Sequence, residues 1–219
     1  MTETELLNWA RGPGFQIATI IFAAGITLRI VEILMLGRKA NLAEAKGNAM
    51  SSGLRTIITR SVPDASTFKR SAFSVTAGYA FHIGLFIVIF LYAPHILFFK
   101  DVLHISWPAL PSTVIDAVSV ITIITMIAVL IHRLRDPVKR FLSTFDDYIG
   151  WFVTILPLIT GYIAFHRIGL PATTLIAIHI LSIQLLMVVL PFTKLMHMFT
   201  FVLARWYNGA ISGYRGVQS

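Results

Sequence analysis

The last long apolar run, residues 170–204, constrains this chain more than any other stretch. It reads LPATTLIAIHILSIQLLMVVLPFTKLMHMFTFVLA. A helix crosses the hydrocarbon core of a bilayer with about 20 apolar residues, so this run is long enough to span. It carries two histidines, His179 and His197. Their spacing is five turns of a regular helix, which predicts both on one face, about 27 Å apart along the axis. One imidazole is then expected near each side of the membrane. Ionisable side chains are costly inside a span and mark function there, and neutral imidazole is a common metal ligand.

Four further runs have the same character, which sets the class. Hydrophobic residues make up 56% of the 219 and charged residues only 13%, a balance that belongs in lipid rather than in a soluble domain. The chain has no cysteine. By itself it therefore holds no iron–sulfur cluster, no c-type haem attachment and no disulfide framework. The net charge of +8 sits in the connections between apolar runs, not in a patch that tracks phosphates. It reads as membrane topology and excludes a nucleic-acid partner.

The expected fold is all-α: an integral membrane five-helix bundle in one domain over residues 1–219. The spans fall at about 15–36, 72–99, 112–131, 148–165 and 172–204. The first twelve residues lack the basic start and cleavage site of a signal peptide, so the first run is expected to stay. Basic residues crowd residues 38–70, with a possible short interfacial helix at 54–58, and again residues 133–140. Both stretches are expected on the cytoplasmic side. That puts the amino terminus outside, the carboxyl terminus in the cytoplasm, and the chain as a multi-pass protein in a prokaryotic inner membrane. No internal repeat is visible.

Spans two and five then run antiparallel. His82, about a third of the way into span two, and His197 fall at matching depth toward the cytoplasm. Iron held between imidazoles of two helices is a recurrent use of a bundle core. His179 needs a partner on the outer side. His95 lies at the far end of span two, where a hydrated histidine is also ordinary. His104, His132 and His166 fall at span ends or in loops and read as solvated. Arg29 and Glu32 are helix neighbours within span one. They read as an ion pair reaching for the interface, or Arg29 meets a haem propionate. Lys69, Arg70 and Lys194 are the other cations at that depth.

Several stretches together resemble the gamma subunit of respiratory nitrate reductase and related cytochrome b subunits of sulfur-metabolism complexes. They are FHIG in span two followed by an apolar run and PH, then His179, and eighteen residues on the histidine of PFTKLMH. The GxxxR of span one (Gly25, Arg29) and Asp147, Thr160 and Gly161 of span four extend the resemblance along the chain. It implies a membrane-anchoring b-type cytochrome with one or two haems b. Such a subunit passes electrons between quinone or quinol and a cytoplasmic iron–sulfur subunit with its catalytic partner. By position His82 and His197 match the inner haem pair, and His179 one ligand of the outer pair.

The family pattern has a second histidine ten residues after the FHIG histidine, where this chain has Tyr92. Tyrosine ligates haem only when ionised, which is costly in an apolar site. His95 is the other candidate. It lies about 20 Å of rise beyond His82 and about 140° around a straight helix, an offset that a kink before Pro94 reduces. One haem and two haems both stand open on the sequence, and the quinone site with them. The alternative from a different class is a haem-free membrane anchor or transporter. A transporter is expected to show repeated halves.

Overall fold

The computed structural model describes residues 1–37 and 42–217. Arg38 and Lys39, part of the expected cytoplasmic basic stretch, lie outside the described residues. Ten α-helices follow in order, with no strand among the described residues. They are α1 (Glu3–Arg11), α2 (Pro13–Met35), α3 (Ala49–Thr59), α4 (Ala65–Leu91), α5 (Ala93–Leu103), α6 (Ser112–Arg135), α7 (Pro137–Leu142), α8 (Phe145–His166), α9 (Ala172–Val189) and α10 (His197–Tyr214).

Among the described residues five segments are long and apolar enough to cross a membrane: Glu3–Met35, Ala65–Leu91, Ser112–Arg135, Phe145–His166 and Ala172–Phe192. The all-helical, five-span expectation holds, and the chain has the make-up of a multi-pass membrane protein. Large apolar side chains such as Ile20 and Met35 are 67% and 79% exposed, which suits lipid contact. Local signals set the helix starts. Thr2 and Glu5 close a capping box on α1, Thr144 and Asp147 close one on α8, and the Asp136 carboxylate accepts from the first amides of α7. Each satisfies amide groups that a helix leaves open at its start.

The expected fifth span is not one helix. α9 stops at Val189, and two short 3-10 turns, Leu190–Phe192 and Lys194–Met196, precede α10. Pro191 supplies no N–H and fixes its own φ, and Thr193 is extended at φ −124°, ψ 175°. The single-face relation between His179 and His197, which required an unbroken helix, therefore does not apply.

The chain forms two compact units. The first comprises Met1–Ile21 and Phe73–Val189, the second Phe22–Ala72 and Leu190–Ser219. One boundary lies just past Ser71, whose φ of −134° and ψ of 29° interrupt α4. In the first unit α8 packs on α9, α1 on α9 and α6 on α8. Its core joins Met126, Ile155 and Leu158 to Phe81, Leu85, Ile123 and Trp151. Polar groups are paired: Trp151 Nε1 donates to the Met126 carbonyl at 2.9 Å, and Gln184, 6% exposed, donates to the Ala10 carbonyl at 2.6 Å. In the second unit α3 lies along α10.

Candidate functional site

The site in the first unit is made by a helix break. Pro94 cannot continue the ladder of α4. Tyr92 turns extended at φ −86°, ψ 126°, and α5 restarts at Ala93 with Pro94 in its first turn. The break re-aims His95. Its ring lies nearly parallel to that of His179 on α9, at 14° between planes and 6.2 Å between ring centres. Tyr92 stands edge-on to His95 at 5.1 Å and to Phe165 at 6.0 Å. Of the two candidates for a partner to His179, it is His95 that lies parallel to it.

Both rings are held through Nδ1. His95 Nδ1–H donates to the Val88 carbonyl at 2.9 Å. His179 Nδ1 hydrogen-bonds the Thr160 hydroxyl at 3.2 Å, and Thr160 also meets the Ser182 hydroxyl at 2.9 Å. Ser182 in turn donates to the His179 carbonyl at 2.7 Å. Gly161 makes room for the ring, since a Cβ there would stand 2.9 Å from His179 Cε1. A carbonyl can only accept, so the His95 proton sits on Nδ1 and a neutral ring keeps its Nε2 lone pair. Fixing one ring nitrogen in this way is how proteins orient imidazole ligands.

The ring spacing would allow a metal between the two imidazoles. Bonds of about 2 Å from each nitrogen place the two ring centres roughly 6 Å apart, close to the observed spacing. Among the described residues no three His, Asp or Glu side chains converge. His95 and His179 are the two imidazoles that could hold a metal or cofactor here.

His82 lies in the first unit and His197 in the second. Each shows the same fixing of one nitrogen: His82 Nδ1–H donates to the Gly78 carbonyl at 2.7 Å, and His197 Nδ1–H to the Lys194 carbonyl at 2.8 Å. Gly84, the glycine of FHIG, packs so closely on Thr122 that a Cβ would overlap the threonine hydroxyl. Lys194 occupies the second 3-10 turn and is exposed.

Arg29 pairs with Glu32 at 2.9 Å, and its Nε donates to the Pro191 carbonyl at 3.2 Å. Gly25, one turn earlier, packs on Pro191 as well, with room for a Cβ only 2.7 Å from Pro191 Cβ. The GxxxR pattern is thus one helix face shaped to the Pro191 break. The Arg29–Glu32 ion pair of the sequence reading is present.

Two of the remaining histidines have side-chain partners. His166 Nε2 meets Asp116 Oδ1 at 2.7 Å, and His132 Nε2 lies 2.6 Å from Lys139 Nζ with its ring against Phe73. His104 ends α5 in a left-handed conformation at φ 58°. The sequence reading missed Ser182 and the Val88 carbonyl. Ser182 stands one turn after His179, a spacing that hints at the contact, whereas nothing local marks a backbone carbonyl.

No described protein family matches the chain, and no solved structure does. A protein of Nitratidesulfovibrio vulgaris (strain Hildenborough) is 28% identical over 206 residues, covering 90% of this chain and 89% of the relative. Its name, "Protein", states no activity. The likeness runs almost end to end in both chains.

Proposed function

We propose that this chain is a membrane-anchoring b-type cytochrome subunit. It would carry electrons between quinol or quinone and a cytoplasmic iron–sulfur subunit of a larger redox complex. The observation that carries the reading is the parallel His95–His179 pair, with each Nδ1 engaged and spacing suited to one metal. A haem b bound there supplies reversible one-electron chemistry at iron. The chain's own part is to present the two imidazoles, hold the His95 tautomer through the Val88 carbonyl, and hold the His179 ring in place through Thr160. A second haem, on His82 and His197, rests on the resemblance of the FHIG and PFTKLMH stretches, with Lys194 as a nearby cation for a propionate.

The α3–α10 pair is the proposed docking face for the iron–sulfur partner. It is basic through Arg55 and Arg205 on the helices and Lys46, Arg60 and Arg215 beside them, and the positive-inside rule argues for a cytoplasmic side. Crosslinks from this pair to the partner in intact membranes are expected, and crosslinks confined to the 104–111 loop would rule the face out.

The decisive test is a dithionite-reduced minus oxidised spectrum of the purified protein, calibrated per chain. His95→Ala and His179→Ala should remove the same spectral component and leave the protein inserted, because insertion follows span hydrophobicity. His82→Ala and His197→Ala should remove the other. A wild-type spectrum without a b-type signal overturns the whole reading. An unchanged spectrum in either His95→Ala or His179→Ala overturns the pair.

A further inference from the structure

The second unit contains a cavity of about 710 Å³, within the range of about 300–1,000 Å³ typical of small-ligand sites. Arg29, Glu32, Thr193 and Thr200 supply its polar lining, and Ile33 and Met196 are among its apolar walls. The charged pair is the unusual part. Charges in a span normally turn to a cavity or a partner, yet these side chains are 44% and 49% exposed. They occupy the last two turns of α2, about 9 Å and 5 Å of rise before Met35. α2 itself is about 34 Å long, close to a hydrocarbon thickness. The pair therefore falls where acyl chains give way to headgroups.

Charge decides what fits. Arg29 is already neutralised by Glu32 at 2.9 Å, and its Nε is committed to the Pro191 carbonyl. The remaining guanidinium N–H groups can still meet an anion, and the second carboxylate oxygen of Glu32 a cation. An anionic lipid or a carboxylate would gain the first contact and be repelled by the second. Adjacent opposite charges are best matched by a ligand that carries adjacent opposite charges itself.

We propose that this cavity binds the headgroup of a zwitterionic phospholipid, phosphatidylethanolamine. Its phosphate lies on Arg29, its ammonium on Glu32, and its acyl chains run along the Ile33 and Met196 side. The ammonium donates hydrogen bonds to the carboxylate, which the quaternary nitrogen of phosphatidylcholine cannot. Thr193 and Thr200 donate their hydroxyls to the Leu190 and Met196 carbonyls, which leaves their oxygens able to act only as acceptors.

The test is native mass spectrometry of the full chain after exchange into nanodiscs containing equal parts phosphatidylethanolamine, phosphatidylglycerol and phosphatidylcholine, followed by partial delipidation in mild detergent. The wild type should retain one phosphatidylethanolamine, at least about tenfold over either competitor, a difference worth about 1.4 kcal/mol. Glu32→Gln should turn the preference to phosphatidylglycerol, and Arg29→Gln should abolish retention. The paired exchange Arg29→Glu with Glu32→Arg keeps both charges and should keep the ethanolamine preference. Equal retention of phosphatidylglycerol by the wild type, unchanged selectivity in Glu32→Gln, or a quinone recovered from the cavity would overturn the proposal. If the single variants fail to insert, the wild-type ratio alone decides.

Discussion

Around His179, in the first unit, a glycine gives way to a ring; at Gly209 and Gly213, in the second, glycines give way to a neighbouring backbone. Gly161 faces only the edge of an imidazole. Gly209 faces the Thr56 side chain and, at 2.8 Å from a built Cβ, the Ser52 carbonyl; Gly213 faces Ser52 and, at 3.0 Å, the Asn48 carbonyl. A ring can swing aside, whereas a helix backbone cannot. The same residue type therefore guards orientation in one unit and helix docking in the other. If the proposed haem is bound, damage should separate accordingly, into lost haem with an intact fold and lost packing with the haem retained.

The largest effect is expected from Gly209→Val. Its branched side chain meets backbone, and overpacking of this kind costs about 1–3 kcal/mol or more. Hydrogen exchange should show α3 losing protection while the His179 spectral component stays. Loss of that component instead would erase the contrast. Gly161→Val is the mirror experiment: the His95–His179 component should disappear and thermal stability should change by less than about 1 kcal/mol.

A finer probe is Thr160→Val, which removes the partner of His179 Nδ1 without adding bulk. Loss of such an outer contact costs about 10–100-fold in metal affinity, so haem retention on dilution should fall by that factor. Equal retention would show that Gly161 alone orients the ring. Trp151→Phe removes the bond to the Met126 carbonyl and should cost about 1 kcal/mol in the first unit only.

The smallest effect concerns a cap. Hydrogen bonds from the Lys139 and Val138 amides hold the Asp136 carboxyl below its usual range, with smaller help from the charges of Lys139 and His132. Its folded value is depressed, so its stabilisation is complete above the unfolded value of about 3.9. It fades as the pH falls through the lower folded value. Amide exchange in α7 should quicken over that acid window, and Asp136→Asn should remove the dependence.

Much of this architecture is legible in the sequence because lipid imposes a coarse rule: apolar runs of sufficient length become spans. The histidines stand out within those runs, whereas Thr160 and Gly161 came into view only through the family resemblance. The breaks were harder to read. Pro94 was marked as a kink, but Pro191 lay inside an apolar run with no polar gap, and a proline within a span does not always end it, as Pro157 inside α8 shows. The helix at 54–58 was visible only as the second half of α3, since the glycine and serine face of its first half is set by α10. The match of His95 to His179 depends on a change of chain direction at Tyr92, and no local pattern states its angle.

The break at Tyr92 also bears on where foreign sequence can be inserted. Pro94 offers no N–H to the Phe90 carbonyl, and Trp107 Nε1 donates to that carbonyl instead; Leu110 N donates to the Leu91 carbonyl at 2.9 Å. The 104–111 loop therefore stands in for the missing turn of α4. A tag or reporter spliced into it would uncap the helix that aims His95. The turn at Gly169, with φ at +82° and open space around its Cα, carries no such duty and is the better place to graft a marker on that end of the first unit.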